Sequence, residues 1–191
     1  MKPHDRAIVT SSKSPNHRTP KSLIEALDPL HFAFVIDVAA TTKDHIAGVH
    51  HYFGPDQKRE EWRDALAPSL DWVATFNQYY AGQPYALWMN PPWSREQGMP
   101  IEPWVERASA AGRAGITTVA LLPAAIQTQW WGDLVWNKAY EVRLFPHRLS
   151  FDDAEGQQQS NANFNSALVI WKSLDGFKKG FRTHVNYWTY R

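Results

Sequence analysis

Residues 90–93, Asn-Pro-Pro-Trp, follow the short apolar segment 86–89 and carry more chemical information than any other part of the chain. The apolar segment predicts a buried strand. The two prolines end it, because proline cannot donate a hydrogen bond to a sheet and has a fixed φ. A residue before proline is also held in extended geometry. We therefore expect Asn90 and the Pro91 carbonyl to lie at the carboxyl end of a strand, where open α/β sheets bind ligands.

This corner offers the acceptors that a planar amine requires. The Asn90 amide oxygen and the Pro91 carbonyl could both accept hydrogen bonds from one exocyclic NH2, which would orient the amine and leave its lone pair to attack a methyl donor. Trp93 could stack on the ring that carries the amine. Base–aromatic stacking is worth roughly 1–3 kcal/mol, which offsets much of the cost of extruding a base from duplex DNA. The alternative is a Pro-Pro turn after a core strand, with Trp93 as a packing residue.

Composition narrows the class of protein. The chain has 191 residues, enough for one domain with a substantial core, and no cysteine, which fits a reducing cytoplasm and excludes disulfides and thiolate metal sites. No apolar run is long enough to span a membrane. The net charge is only +1, so contact with nucleic acid requires local basic patches. Two such stretches, which could equally be solvated tails, contain Lys2, Arg6, Lys13, Arg18 and Lys21, and Lys172, Lys178, Lys179 and Arg182.

Predicted strands alternate with predicted helices along the chain, which indicates an α/β domain with a largely parallel sheet. The expected strands cover 32–38, 86–89, 117–122, 140–145 and 166–171, with an edge strand within 181–190. The expected helices begin after Thr19-Pro20 and cover 58–67, 103–114 and 127–136, with a short element near 70–80 and a loop at 152–163.

An ordered set of short motifs resembles the phage-type DNA N6-adenine methyltransferases, a family that uses S-adenosylmethionine. The resemblance covers roughly residues 19–172. The matching pieces are Thr19-Pro20, the segment 37–40, Tyr52-Phe53 with Pro55, the segment 88–94, Trp104, the segment 119–124, Thr128 with Trp130-Trp131, the segment 148–151 and the segment 165–170.

The resemblance implies a Rossmann-like methyltransferase sheet, mostly parallel with a late antiparallel strand. The domain would cover 19–172, between a flexible arm at 1–18 and a basic extension at 173–191. The implied activity is transfer of a methyl group from S-adenosylmethionine to the N6 amine of adenine in DNA, in the cytoplasm of a bacterial host or phage-infected cell. Neither a metal nor a membrane is implied, and the oligomeric state is left open.

Site residues follow from the same resemblance. The amine site would consist of Asn90, Pro91, Pro92 and Trp93. The cofactor corner would consist of Asp37, Ala39 and Ala40, with Pro20 and Asn90, and DNA would contact Ser94, Arg95 and Arg148. Asp37 could instead be a helix-capping or paired buried carboxylate. Arg148 could instead form a surface salt bridge.

The chain also departs from the family pattern. No Gly-x-Gly loop follows the first strand, and Trp93 stands where tyrosine is commoner. The segment 58–83 is longer than usual and could be a target-recognition insert, a dimer contact or extra packing. The three histidines at 45, 50 and 51 lack carboxylates or cysteines at zinc-ligand spacing, so we expect no metal site. An RNA base, cytosine N4 or a glutamine amide remains an alternative acceptor, and a non-catalytic interaction module remains an alternative function.

Overall fold

The computed structural model describes residues 18–27, 32–40, 49, 51–80, 82, 84–92, 100–151, 164–174 and 182–188. In this part of the chain, seven strands form one sheet in the order β2-β1-β3-β4-β6-β5-β7. The strands are β1 (Phe34–Asp37), β2 (His51–Tyr52), β3 (Ala86–Met89), β4 (Thr117–Pro123), β5 (Glu141–Leu144), β6 (Ser166–Trp171) and β7 (His184–Tyr187). Trp93, Ser94, Arg95, His45, His50, the arm before Arg18 and the predicted loop at 152–163 lie outside the described residues.

Strand directions confirm the predicted mostly parallel sheet with a late antiparallel strand. The strands β2, β1, β3 and β4 run parallel to one another, and β6 pairs antiparallel with both β4 and β5. β7 pairs parallel with β5, which confirms the predicted edge strand near the end of the chain. β6 is therefore the single reversed strand of the described sheet, and the carboxyl ends of the other strands share one edge.

Helices cover the two faces of the sheet unequally. α2 (Trp72–Tyr80), α3 (Glu102–Arg113) and α4 (Gln129–Leu134) pack on one face, and α1 (Lys21–Leu27) packs on the other. Each of the three helices on the first face belongs to a crossover that moves in the same direction along the sheet, and right-handed crossovers in one direction lie on one face. Among the described residues, no helix combines the length and the apolar character needed to cross a membrane.

Local chemistry explains where α2 begins and where α3 ends. α2 begins after Asp71, whose Oδ1 accepts hydrogen bonds from the backbone N–H groups of Val73 (2.8 Å) and Ala74 (3.1 Å). α3 ends before Gly115, which has φ +94°, and the Ile116 N–H then bonds back to the Ala111 carbonyl at 2.9 Å. Glycine suits this position because a left-handed φ carries no steric penalty there.

The helix predicted for 58–67 is wrong: only Glu60–Trp62 forms a short 3-10 turn there. The Trp62 carbonyl accepts a hydrogen bond from Gly54 N at 3.1 Å, so it makes a long-range bond in place of a helical one. The Asp64 side chain bonds to the N–H of Leu66 at 2.8 Å, a local contact that competes with helix formation. Long-range and side-chain hydrogen bonds therefore outweigh the helical pattern of this segment.

Much of the long segment 58–83 packs into the core. Trp62, Trp72 and Phe76 are buried on the α2 face. Arg107 of α3 holds the connection between the 3-10 turn and α2 through hydrogen bonds to three carbonyls, those of Leu66, Ala67 and Leu70. The described part of the segment is thus joined to the sheet by apolar burial and by one arginine.

Candidate active site

The order of the strands places a switch point at the carboxyl edge of the sheet. From β1 the chain crosses to β2 on one side, and it returns to β3 on the other side of β1. Ligands of open α/β sheets bind at such a switch point, outside the carboxyl ends of the strands. Asp37 ends β1, and Asn90 directly follows β3. Because Asp37 pairs with Trp88 in the sheet, the structure brings the predicted cofactor corner and the predicted amine corner side by side.

Asp37 is a buried carboxylate with few partners. Its side chain is 2 % exposed, and Oδ1 accepts one hydrogen bond, from the Ala39 N–H at 3.0 Å. Burial raises the pKa of this carboxyl to about 7, against the lowering effect of the Ala39 bond. No cation of the described chain pairs with it. Asp37 therefore caps its own turn and is not half of a salt bridge within these residues.

Small residues bring two backbone segments together beside Asp37. Ala39 and Ala40 are buried in the turn after β1. A Cβ built on Gly54, just after β2, would lie 2.5 Å from the Ala40 carbonyl oxygen. The Phe53 N–H also bonds to the Asp37 carbonyl at 2.8 Å. In the absence of a Gly-x-Gly loop, Ala39, Ala40 and Gly54 provide the close backbone approach at this corner.

Gly54 was not identified from the sequence. A lone glycine before Pro55 is an ordinary turn signal, and only the distance to Ala40 reveals what it does.

Asn90 is held by a side-chain hydrogen bond across the fold. Its Nδ2 donates to Thr19 Oγ1 at 3.1 Å, although the two residues are 71 positions apart. Thr19 is buried, and Asn90 is half-buried. The bond turns the amide nitrogen toward Thr19, and the amide oxygen consequently faces the other way. The sequence pointed to Thr19 only as part of the Thr-Pro start of α1.

Three prolines of the predicted site lie close in sequence to Asn90 or to Thr19. Pro91 is buried and Pro92 is half-buried. Pro20 follows Thr19, and its carbonyl accepts the first bond of α1, from Leu23 N at 3.0 Å. Pro20 thus lies one residue from the partner of Asn90, at the start of a helix.

Arg148 lies at the same edge of the sheet but farther along it. It follows β5, whose carboxyl end shares the edge with β1 and β3, and two strands separate β5 from β3. Arg148 is exposed, whereas the next residue, Leu149, is buried against the α1 face. No acid of the described chain forms an ion pair with it.

His51 has a packing role in the part of the chain that the structure describes. Its Nδ1 is hydrogen-bonded to the Tyr80 hydroxyl, and its ring contacts Trp62 and Tyr79. Within the described ranges, no group of three histidine, cysteine or acidic side chains is placed to hold a metal ion.

Comparison with known proteins identifies the family. The family model for DNA N-6-adenine-methyltransferase (Dam) matches residues 9–188. No curated protein and no solved structure matches the chain significantly. The matched range includes the ends of β1 and β3, Thr19 and the edge strand β7. Because it extends over nearly the whole sequence, the chain belongs to the DNA N-6-adenine-methyltransferase (Dam) family.

Proposed function

We propose that this chain transfers a methyl group from S-adenosylmethionine to the N6 amine of adenine in DNA, in the cytoplasm of a bacterial or phage-infected cell. One observation carries the proposal. At the switch point of the sheet, β3 is followed by an amide that is hydrogen-bonded to Thr19, and the adjacent strand β1 ends in a buried carboxylate, Asp37. Family membership supplies the class of acceptor. The geometry supports the placement of donor and acceptor in one crevice.

The residues at the end of β1 fit a donor with hydroxyl and ammonium groups. Asp37 has lone pairs beyond the one that accepts from Ala39, and a buried carboxylate gains stability from further donors. In our proposal the small side chains of Ala39 and Ala40 let the donor approach the backbone. When bound, S-adenosylmethionine supplies an electrophilic methyl group on a positively charged sulfur. We assign Asp37 to its polar groups, with Ala39, Ala40 and Pro20 lining the corner.

The residues after β3 fit the target amine. The oxygen of Asn90 is directed away from Thr19, and the fixed φ of Pro91 restricts the position of the neighbouring carbonyl. In our proposal these two oxygens accept the two N–H groups of the adenine amine. The nitrogen lone pair is thereby directed at the donor, and much of the rate comes from proximity. A strong base is not required, because the proton can leave after methylation.

The proposal also includes contacts with the extruded base and with the DNA around it. Trp93 and Pro92 would flank the extruded base. Ser94, Arg95 and Arg148 would contact the DNA, since arginine offers a planar set of donors to phosphates and base edges. Arg148 is exposed at the required edge, which supports its assignment.

Substitution of Asn90 tests the proposal. Asn90→Ala should lower the rate of methyl transfer to duplex DNA by about a hundredfold or more, the usual cost of losing one preorganised polar contact to a reacting group. Transfer is measured with donor labelled in its methyl group, and donor binding is measured by calorimetry. Donor affinity should stay close to that of the wild type, because Asp37 is unchanged. Gln78→Ala, on the exposed face of α2, is the matched amide control and should behave as the wild type.

Three outcomes would contradict the proposal. Near-normal turnover by Asn90→Ala would exclude the role assigned to the amide. Label transferred to RNA or protein, and not to DNA, would exclude the assigned acceptor. Absence of binding heat with the wild type at high donor concentration would favour a non-catalytic module.

A further inference from the structure

A turn beyond the end of β4 exposes an isoleucine at the edge that holds the candidate site. Ile126 is 47 % exposed, and the large apolar side chains with comparable or greater exposure among the described residues are Tyr79, Val185 and Tyr187. Val185 and Tyr187 belong to β7 at the far side of the sheet, and Tyr79 belongs to α2. A single exposed apolar residue is ordinary. The position and the support of Ile126 distinguish it from the others.

The register of the sheet places the turn next to Asn90 and beyond it. Met89 pairs with Ala120, so Asn90 is level with Leu121. β4 continues two residues further, to Pro123. At about 3.3 Å per residue, the end of β4 stands roughly 7 Å past the level of Asn90 on the adjacent strand. Ile126 lies three residues after Pro123, in the turn that follows β4, at the same edge of the sheet as the corner assigned to the target amine.

The turn is held rigidly. Thr128 bonds to the Ala125 carbonyl through both its N–H (2.9 Å) and its hydroxyl (2.7 Å). The Ala124 N–H bonds to the Asn165 carbonyl at 2.8 Å, which ties the turn to the strand end before β6. Trp130 and Trp131 then anchor α4 in the core. Ile126 is consequently presented on a hydrogen-bonded turn, with nearly half of its surface exposed.

We propose that Ile126 is an apolar wedge that enters the base stack of duplex DNA beside the target adenine and fills the space left when that base is extruded. The inference rests on the proposed function, since it concerns the same DNA and the same extruded base. Proteins that unstack DNA insert isoleucine, leucine, methionine or phenylalanine between base steps. Such a side chain replaces part of the stacking that extrusion removes.

Loss of a wedge should lower the rate of methylation only when the target base is paired, whereas loss of a structural residue should lower it on any duplex. We compare Ile126→Ala with the wild type on a fully paired duplex and on a duplex whose target adenine faces an abasic site. The kcat/KM should fall about tenfold on the paired duplex, the equivalent of losing roughly two buried methylene contacts. On the abasic duplex it should change less than about twofold, because extrusion there is already easy.

Two further variants make the comparison specific. Ile126→Leu keeps an apolar wedge and should retain most activity on both duplexes. Val185→Ala removes an apolar side chain of nearly the same exposure (48 %) from the far edge strand and should change neither rate. Fluorescence of 2-aminopurine at the target position reports extrusion directly, and its increase on binding should be smaller for Ile126→Ala. Equal thermal midpoints establish that the variants fold.

Equal loss by Ile126→Ala on both duplexes would overturn the wedge and indicate a structural role. Unchanged rates on both would overturn it as well. Failure of the proposed function gives a different result, because the wild type would then methylate neither duplex.

Discussion

The two halves of the candidate site are built in different ways. The donor half, at the end of β1, depends on backbone proximity: Ala40 and Gly54 meet with no room for another carbon, and Asp37 is held by a backbone N–H. The acceptor half, at the end of β3, includes a hydrogen bond between two side chains, Asn90 and Thr19. The halves adjoin in one sheet, yet different kinds of substitution should disable them.

The donor half, with the buried carboxylate of Asp37, also destabilises the folded protein more than the acceptor half does. A buried carboxylate with one hydrogen bond is costly, whereas a neutral amide paired with a hydroxyl is not. A binding site gains from this, because a ligand that supplies the missing donors recovers the cost. The contrast therefore predicts that substitutions in the donor half change stability and donor affinity, and that substitutions in the acceptor half change turnover.

Asp37→Asn should give the largest effect and should depend on pH. The native pKa of about 7 lies above the ordinary 3.8, so the folded state binds more protons than the unfolded state between these values. The free energy of unfolding should accordingly fall as the pH rises from 4 to 7, by roughly 4 kcal/mol, and stay low above pH 7. The asparagine variant lacks this slope, so it should be more stable than the wild type at pH 8 and should bind the donor less tightly.

Urea unfolding of the ligand-free proteins at several pH values from 4.5 to 8 measures the difference, and calorimetry measures donor affinity. The difference between the two proteins isolates Asp37 from the other titrating groups. Parallel pH profiles for the two proteins would show that burial of the carboxyl is not costly and would remove the contrast.

Gly54→Ala should have the next largest effect. The added carbon meets the Ala40 carbonyl oxygen at 2.5 Å, so the backbone must shift. Overpacking of this kind costs about 1–3 kcal/mol. Donor affinity should fall with stability, because the shift occurs in the donor corner. Gly132→Ala is the matched control: nothing lies within 4 Å of its added carbon, and alanine favours α4. Unfolding midpoints equal to the wild type for Gly54→Ala would refute the close approach.

Much of the fold could be predicted because the main strands are continuous apolar runs. The segment 86–89 and the segment 117–122 correspond closely to β3 and β4, and their alternation with helices indicated a parallel sheet. β2 was missed because two residues, His51 and Tyr52, carry no periodicity. The predicted helix at 58–67 failed because the Trp62 carbonyl bonds to Gly54, a contact that no local pattern contains.

In the candidate site too, the position of a residue could be predicted where the local sequence is informative, and not where the residue depends on a distant partner. Asp37 and Asn90 could be placed at strand ends, because an acid or an amide that stops an apolar run is visible in the sequence. Thr19 and Gly54 could not be given their roles, since each depends on a partner brought near by the fold. The sequence thus locates polar residues at strand ends better than it locates the residues that hold them in place.

Thr19→Val should give the smallest change in stability and the most selective change in function. Valine has nearly the same shape and lacks the hydroxyl that accepts from Asn90. Loss of one such bond costs about 0.5–1.5 kcal/mol of stability. The Asn90 amide should then be held less firmly in its orientation, and kcat for DNA methylation should fall about tenfold, which corresponds to misdirecting one polar contact. Donor affinity should stay unchanged, because no atom of the Asp37 corner moves.

Thr19→Ser is the control that distinguishes positioning from packing. Serine keeps the hydroxyl and loses a methyl group, so it should restore most of kcat even if stability falls as much as in the valine variant. Steady-state kinetics, calorimetry with the donor and thermal unfolding of the three proteins are sufficient. Equal loss of kcat in both variants would assign Thr19 to packing. A fall in donor affinity as large as the fall in kcat would show that the two halves of the site are coupled. The effect of the Thr19 substitution would then have passed from the acceptor corner to the donor corner through the pairing of β1 with β3.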